Sequence, residues 1–181
     1  MSNTIITFER AFVKFSDDLA VDGYRSPSGE FRVGMASASV VLGYEKDWLS
    51  RAVRREGTTL ERLSGMGFTG VQHKGKVLRD KVSGSSIVQT ISLDDFNVLV
   101  VYAAGQGKKN AMALNLALSR TTLQNLFLIA FENRVMSVQE TTKFFSDDFI
   151  KTIDWLGEDQ KDAEAILNHL RFLGEIPYDE N

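Results

Sequence analysis

Between Pro27 and Pro177, the only two prolines in the chain, no proline occurs. Proline removes a backbone donor and clashes with the preceding helical turn, so a span this long without one lets helices run for many turns. The chain also shows no repeat at solenoid spacing and no low-complexity tract, which predicts order along most of its length. Its 181 residues suffice for one domain, or one domain with a small second unit, and a real core. With 43% hydrophobic and 25% charged residues it sits in the globular range, so disordered and fibrous classes are set aside.

Short alternating segments from Thr7 to Val33 predict β structure, with a hairpin at 21–34 turning through "SPSG". Met35 to Leu42 reads as a short helix, with Ser37 placed to cap its exposed amides and Gly43 to end it. A second helix is predicted over Glu45 to Arg55, since Trp48, Leu49, Ala52 and Val53 recur on one face. "TTLERLSGMGF" at 58–68 offers another short helix, "VQHKGKVLRDKV" a basic β ribbon, "SGSS" a flexible loop and "IVQTIS" a strand. Ser92 followed by Asp95 resembles a capping box opening a helix through "DDFNVLVVYAAG". A longer helix is expected from Asn110 to Arg134, then two more through 137–148 and 159–173.

The fold class this predicts is α+β: small N-terminal β hairpins with a helix-turn-helix-like unit, followed by a mainly helical C-terminal part. Residues 1–134 form the expected main domain and 135–181 an acidic helical extension.

Charge is unevenly placed. Residues 1–45 carry 4 Lys/Arg and 6 Asp/Glu, 46–81 carry 9 and 4, and 82–181 carry 8 and 14. A net +5 in the centre of a chain of net charge -3 is an electrostatic reason to look for an anionic partner there, although a solvated face gives the same pattern. In the helix 45–55, Lys46, Ser50, Arg51, Arg54 and Arg55 fall largely off the apolar face. Two short helices around a glycine turn are the parts of a helix-turn-helix, in which the second helix enters the major groove. Arginine has the fork geometry for guanine edges and phosphates. In the ribbon 73–81, Lys74, Lys76, Arg79 and Lys81 are placed to track a phosphate backbone.

The stretch "GEFRVGMASASVVLGYEKDWLSRAV" resembles the Bro-N domain of phage antirepressors and viral Bro proteins, related in outlook to KilA-N. Gly29, Glu30 and Phe31 match the family's Gly-Glu and aromatic strand, and Leu42, Gly43 and Tyr44 its Leu-Gly-Tyr helix end. Ser37 falls where that family usually has a helix-capping Asp. "TISLDDFNVLVVYAAGQGKKNAMALNLALSRTTLQ" is similar to the family's strand, helix, small basic turn and long helix, so the resemblance covers about residues 29–125. It implies DNA binding in a phage or mobile-element regulatory setting; the acidic C-terminal helices leave binding of a repressor protein as a separate alternative.

Other chemistries find less support. His73 and His169, the only histidines, lie far apart without a carboxylate at ligand spacing, and "GQGKK" lacks the spacing of a phosphate loop and reads as a helix-capping turn. Asp22, Glu30 and Arg32 loosely suggest a nuclease arrangement on a hairpin, with Arg in place of the final Lys. The "SGSS" loop has no partner histidine for serine hydrolase work. Trp48 reads as a core anchor. The expected function is therefore a sequence-specific regulator of double-stranded DNA, using no cofactor. A metal-dependent endonuclease of a mobile element, or a protein-binding antirepressor adaptor, is the alternative.

A homodimer is expected through Asp159–Leu173, where Ala163, Ile166, Leu167, Leu170 and Leu173 line one stripe. The absence of cysteine fits a reducing, cytoplasmic setting. "FNVLVVYAA" is too short to cross a bilayer, and "MSNTIITFERAFVKF" does not read as a secretion signal, so no membrane role is expected.

Overall fold

The computed structural model describes residues 6–15, 19–78 and 85–172, the side chains of 78, 85, 159–160 and 162–172 excepted. It is a mixed α+β fold. Five strands, β1 (Ile6–Lys14), β2 (Ala20–Arg25), β3 (Phe31–Gly34), β4 (His73–Leu78) and β5 (Ser85–Ser92), close into a barrel in the order β1-β2-β3-β5-β4. Every pairing is antiparallel except the closing one, β1 with β4. Three short helices, α1 (Met35–Val41), α2 (Trp48–Arg55) and α3 (Thr58–Gly65), connect β3 to β4. Three longer ones, α4 (Leu93–Gly105), α5 (Lys109–Glu132) and α6 (Val138–Phe172), follow β5.

The parallel closure depends on one glycine. Ile6 pairs with Gly75 and Phe8 with Val77, and the Phe8 ring lies over residue 75. A Cβ at Gly75 would fall 2.2 Å from Phe8 Cε2 and 2.7 Å from the Ile6 carbonyl oxygen, so only glycine lets β4 approach this closely. Phe8, Tyr24 and Val77 form a small cluster on this inner face. Arg32 lies opposite Tyr24 in the β2–β3 ladder and shares that face. Its buried guanidinium is satisfied: Nε donates to Thr90 Oγ1 at 3.0 Å and Nη1 to Glu30 Oε1 at 2.5 Å.

The outer face of the barrel carries the main core. Val21, Val33 and Ile91 pack with Leu42 of the α1–α2 turn, Leu49 of α2, Leu99 and Val100 of α4, Leu114 of α5 and Phe149 of α6 in one cluster. Strand alternation thus divides the apolar residues between a barrel interior and a helix-covered exterior.

The hairpin at 21–34 forms, with Gly29 at φ 87° and the Ser26 hydroxyl accepting from the Glu30 amide. Ser37, however, does not cap α1. The helix begins one turn earlier than a cap at 37 requires, after Gly34, and the Ser37 hydroxyl instead donates to the Gly34 carbonyl and accepts from the Asp22 amide. α2 begins at Trp48 rather than Glu45, because the chain must first complete the reversal at Gly43. There the Gly43 amide bonds the Val40 carbonyl and the Tyr44 amide bonds Ser39, a Schellman closure with Gly43 at φ 83°. The same closure ends α4, with Gly107 at φ 74°, so "GQGKK" is a helix-capping turn.

The two helices expected over 137–148 and 159–173 are one continuous helix, α6. Buried Phe149, Thr152 and Leu156 recur three and four residues apart and carry the helical pattern across the expected gap, while Gly157 is tolerated within it. Its start is a full capping box: the Glu140 amide donates to Ser137 Oγ and the Ser137 amide to Glu140 Oε2. The side-chain stripe expected to pair two chains, from Ala163 to Leu173, lies outside the described residues.

Candidate nucleic-acid interface

α2 is anchored by its apolar side. Leu49 is fully buried, with Trp48, Ala52 and Val53 half-buried around it. The buried Ser39 hydroxyl donates to the Met35 carbonyl and accepts from the Leu49 amide at 3.4 Å, so one side chain ties the start of α2 to α1. At about 100° per residue, this anchoring turns Arg51, Arg54 and Arg55 onto the opposite arc. Arg54 and Arg55 are exposed, Ser50 flanks them half-buried, and Lys46 is exposed in the preceding turn.

The three arginines are not equivalent. Arg51 Nη2 is 2.5 Å from Glu45 Oε2 and 3.3 Å from Asp47 Oδ1, and the hydrogen bond to Glu45 raises its pKa above the ordinary arginine value. Among the described residues, no carboxylate lies within 4.0 Å of the charged groups of Lys46, Arg54 or Arg55. Arg54 and Arg55 occupy the last turn of α2, where the helix dipole also favours cations.

A further cation reaches this region from a distant segment. Tyr44 stacks on Trp48 at 3.9 Å and 7°, and Trp48 faces Tyr102 at 6.3 Å. The Lys108 ammonium sits 4.7 Å over the Tyr44 ring. The capping turn of α4 therefore meets the turn before α2. Sequence reading missed Lys108, because 64 residues separate it from Tyr44; its only signal was the pair of lysines closing "GQGKK". Burial pushes the Tyr44 hydroxyl up to about 12, with Tyr102 adding to the shift.

Lys74 and Lys76 share the outer face of β4, opposite Gln89 and Ile87 of β5, with Thr7 of β1 beside Lys76. Lys74 is exposed and Lys76 half-buried. Arg79 and Lys81 lie outside the described residues. α2 packs mainly on α1 and α3, and β4 sits between β1 and β5, so the two basic groups are carried by separate elements.

The carboxylates of the nuclease-like arrangement on the hairpin are charge-compensated: Asp22 binds Arg10 at 2.6 Å and Glu30 binds Arg32 at 2.5 Å. Among the described residues no three His, Asp or Glu side chains are grouped to hold a metal ion, and no helix is long and apolar enough to cross a membrane.

Fold and surface together define a mixed α+β protein in which a five-stranded closed barrel supports a basic helix and a long helical pair. In comparisons with known proteins, the chain matches no family model, no curated protein and no solved structure.

Proposed function

We propose that the protein is a sequence-specific regulator of double-stranded DNA, with α2 entering the major groove and the outer face of β4 resting on the phosphate backbone. The observation that carries this reading is the exposed arc of α2: Arg51, Arg54 and Arg55 without an acidic residue inside the helix, held outward by a buried Leu49. α1, the Gly43 turn and α2 are the parts of a helix-turn-helix in this reading, and the likeness of residues 29–125 to Bro-N domains supports a phage or mobile-element setting. Arg54 and Arg55, exposed beyond reach of any described carboxylate, make the first DNA contacts. Arg51 must exchange Glu45 and Asp47 for a base edge or a phosphate, so its contribution is conditional.

The test is a gel shift of pooled random duplexes, sequenced after retention, with the wild type and Arg54→Ala/Arg55→Ala. The expected result is an enriched site for the wild type and its loss in the variant, each good contact contributing about 1–3 kcal/mol. Equal retention by both removes α2 as the reader. Magnesium-dependent plasmid cleavage that disappears in Glu30→Gln replaces the regulator with an endonuclease.

A further inference from the structure

α5 is apolar on two opposite sides. Ala117, Thr121 and Leu128 are buried on its inner side. On the outer side Leu123, Leu126, Phe127 and Phe131 are 55%, 56%, 61% and 81% exposed. From Thr121 to Phe131 no residue is charged. A helix that is apolar all round is ordinarily a buried helix, yet among the described residues α5 packs mainly on α4 and α6 and its outer side stays exposed.

The outer side is also regular. Leu116, Ser119, Leu123, Leu126 and Ala130 follow one another at spacings of three and four, the repeat that keeps one edge of a helix facing a partner helix. Phe127 and Phe131 stack beside that edge with centroids 6.0 Å apart.

We propose that the part of this edge from Leu123 to Ala130 pairs with the same part of α5 in a second copy of the chain, antiparallel, about a two-fold axis between Leu126 and Phe127. Such an axis sets Leu126 against Phe127 and large Leu123 against small Ala130, twice over, and opposes the two helix dipoles. An uncharged edge gives a differently charged partner nothing to complement and a second copy nothing to repel. A lipid surface fits poorly: membrane-lying helices carry cations on their polar side, whereas neighbouring α6 has five acidic residues against two lysines from Val138 to Glu158. The exposed apolar side chains supply at most roughly 500 Å² per copy, so a pair buries on the order of 1,000 Å², the lower bound for a specific contact and the size of a weak, concentration-dependent dimer. The proposal does not depend on DNA binding.

Light scattering and sedimentation of the full chain over a concentration series reaching hundreds of micromolar test it. The expected mass is twice 20.2 kDa for the wild type, falling to 20.2 kDa in Leu126→Glu/Phe127→Glu with an unchanged far-ultraviolet spectrum. A monomeric wild type overturns the proposal, as does a dimer that survives both glutamates, or a monomer that co-sediments with phosphatidylcholine vesicles. If the glutamate variant unfolds, Leu126→Cys decides. The natural chain has no cysteine, so a disulfide-linked dimer on oxidation supports the pairing, and its absence overturns it.

Discussion

The Arg51 guanidinium is clamped by the Glu45 carboxylate at 2.5 Å, across the turn that precedes its own helix. If α2 contacts DNA, that clamp competes with the nucleic acid for the same donors. Glu45→Gln with Asp47→Asn is therefore expected to tighten duplex binding several-fold, both by releasing Arg51 and by removing two negative charges near the phosphates. Arg51→Ala alone is expected to weaken binding less than Arg54→Ala. Fluorescence anisotropy with the selected duplex checks both; a weaker complex in the amide variant means the clamp positions Arg51 for DNA instead of withholding it.

Lys74 and Lys76 stand two residues apart on one face of β4, the spacing at which a strand can follow successive phosphates. Lys74→Ala/Lys76→Ala is expected to weaken binding to all sequences alike and to reduce the slope of log affinity against log salt by about 0.9 for each lost contact. A change confined to one duplex assigns base reading to the strand.

Gly75 supports a stability prediction independent of function. Gly75→Ala drives a methyl group into the Phe8 ring and the Ile6 carbonyl, so the barrel must open or Phe8 must leave its position, at about 1–3 kcal/mol. Gly105, in the last turn of α4, has no described atom outside its own stretch of helix within 4 Å of its would-be Cβ. Gly105→Ala is expected to stabilise by about 0.5–1 kcal/mol by restricting the unfolded chain and favouring helix. Urea midpoints of the two variants should move in opposite directions.

Local chemistry was legible in the sequence where a single residue decides it. Gly29 and Gly43 marked real reversals, Ser92 a real cap, and the apolar set of α2 its buried side. Barrel closure was not, since pairing β1 with β4 joins residues about 70 apart and leaves only Gly75 as a sign, one of 14 glycines. The acid clamp on Arg51 and the approach of Lys108 to Tyr44 were equally hidden, because composition gives the charges but not which of them meet. Ser37 misled for a related reason: a serine near a helix start suits a cap, but here the tertiary partner Asp22 claims its hydroxyl.

Asp95 is buried at the start of α4 and holds a distant loop. Its carboxylate accepts from the Thr69 amide at 2.7 Å and from Thr69 Oγ1 at 2.8 Å, while its own amide donates to the Ser92 cap at 3.0 Å. The helix N-terminus offsets its charge. Asp95→Ala leaves the Thr69 amide without its partner and is expected to cost about 1–3 kcal/mol, more than the roughly 1 kcal/mol of Ser92→Ala. Equal losses in the two variants would mean that Asp95 serves the helix alone and not the loop.

Tyr44 gives a pH-dependent test of the stack beside α2. Its hydroxyl is buried and bonds no described group, and its pKa is raised from 10.0 to about 12, first by burial and then by Tyr102. The folded chain thus holds this phenol's proton where the unfolded chain releases it. By linkage, the stabilisation is complete below pH 10, declines as pH rises above the unfolded value, and is gone once pH has passed through about 12. Tyr44→Phe keeps the ring against Trp48 and Lys108 and discards an unpaired hydroxyl, so it is expected to match or slightly exceed the wild type near neutrality. Its advantage should then grow between pH 10 and 12, because only the wild type carries the linked proton loss. Denaturation midpoints of both proteins across that window decide the matter: parallel curves place Tyr44 in contact with solvent and remove the buried stack.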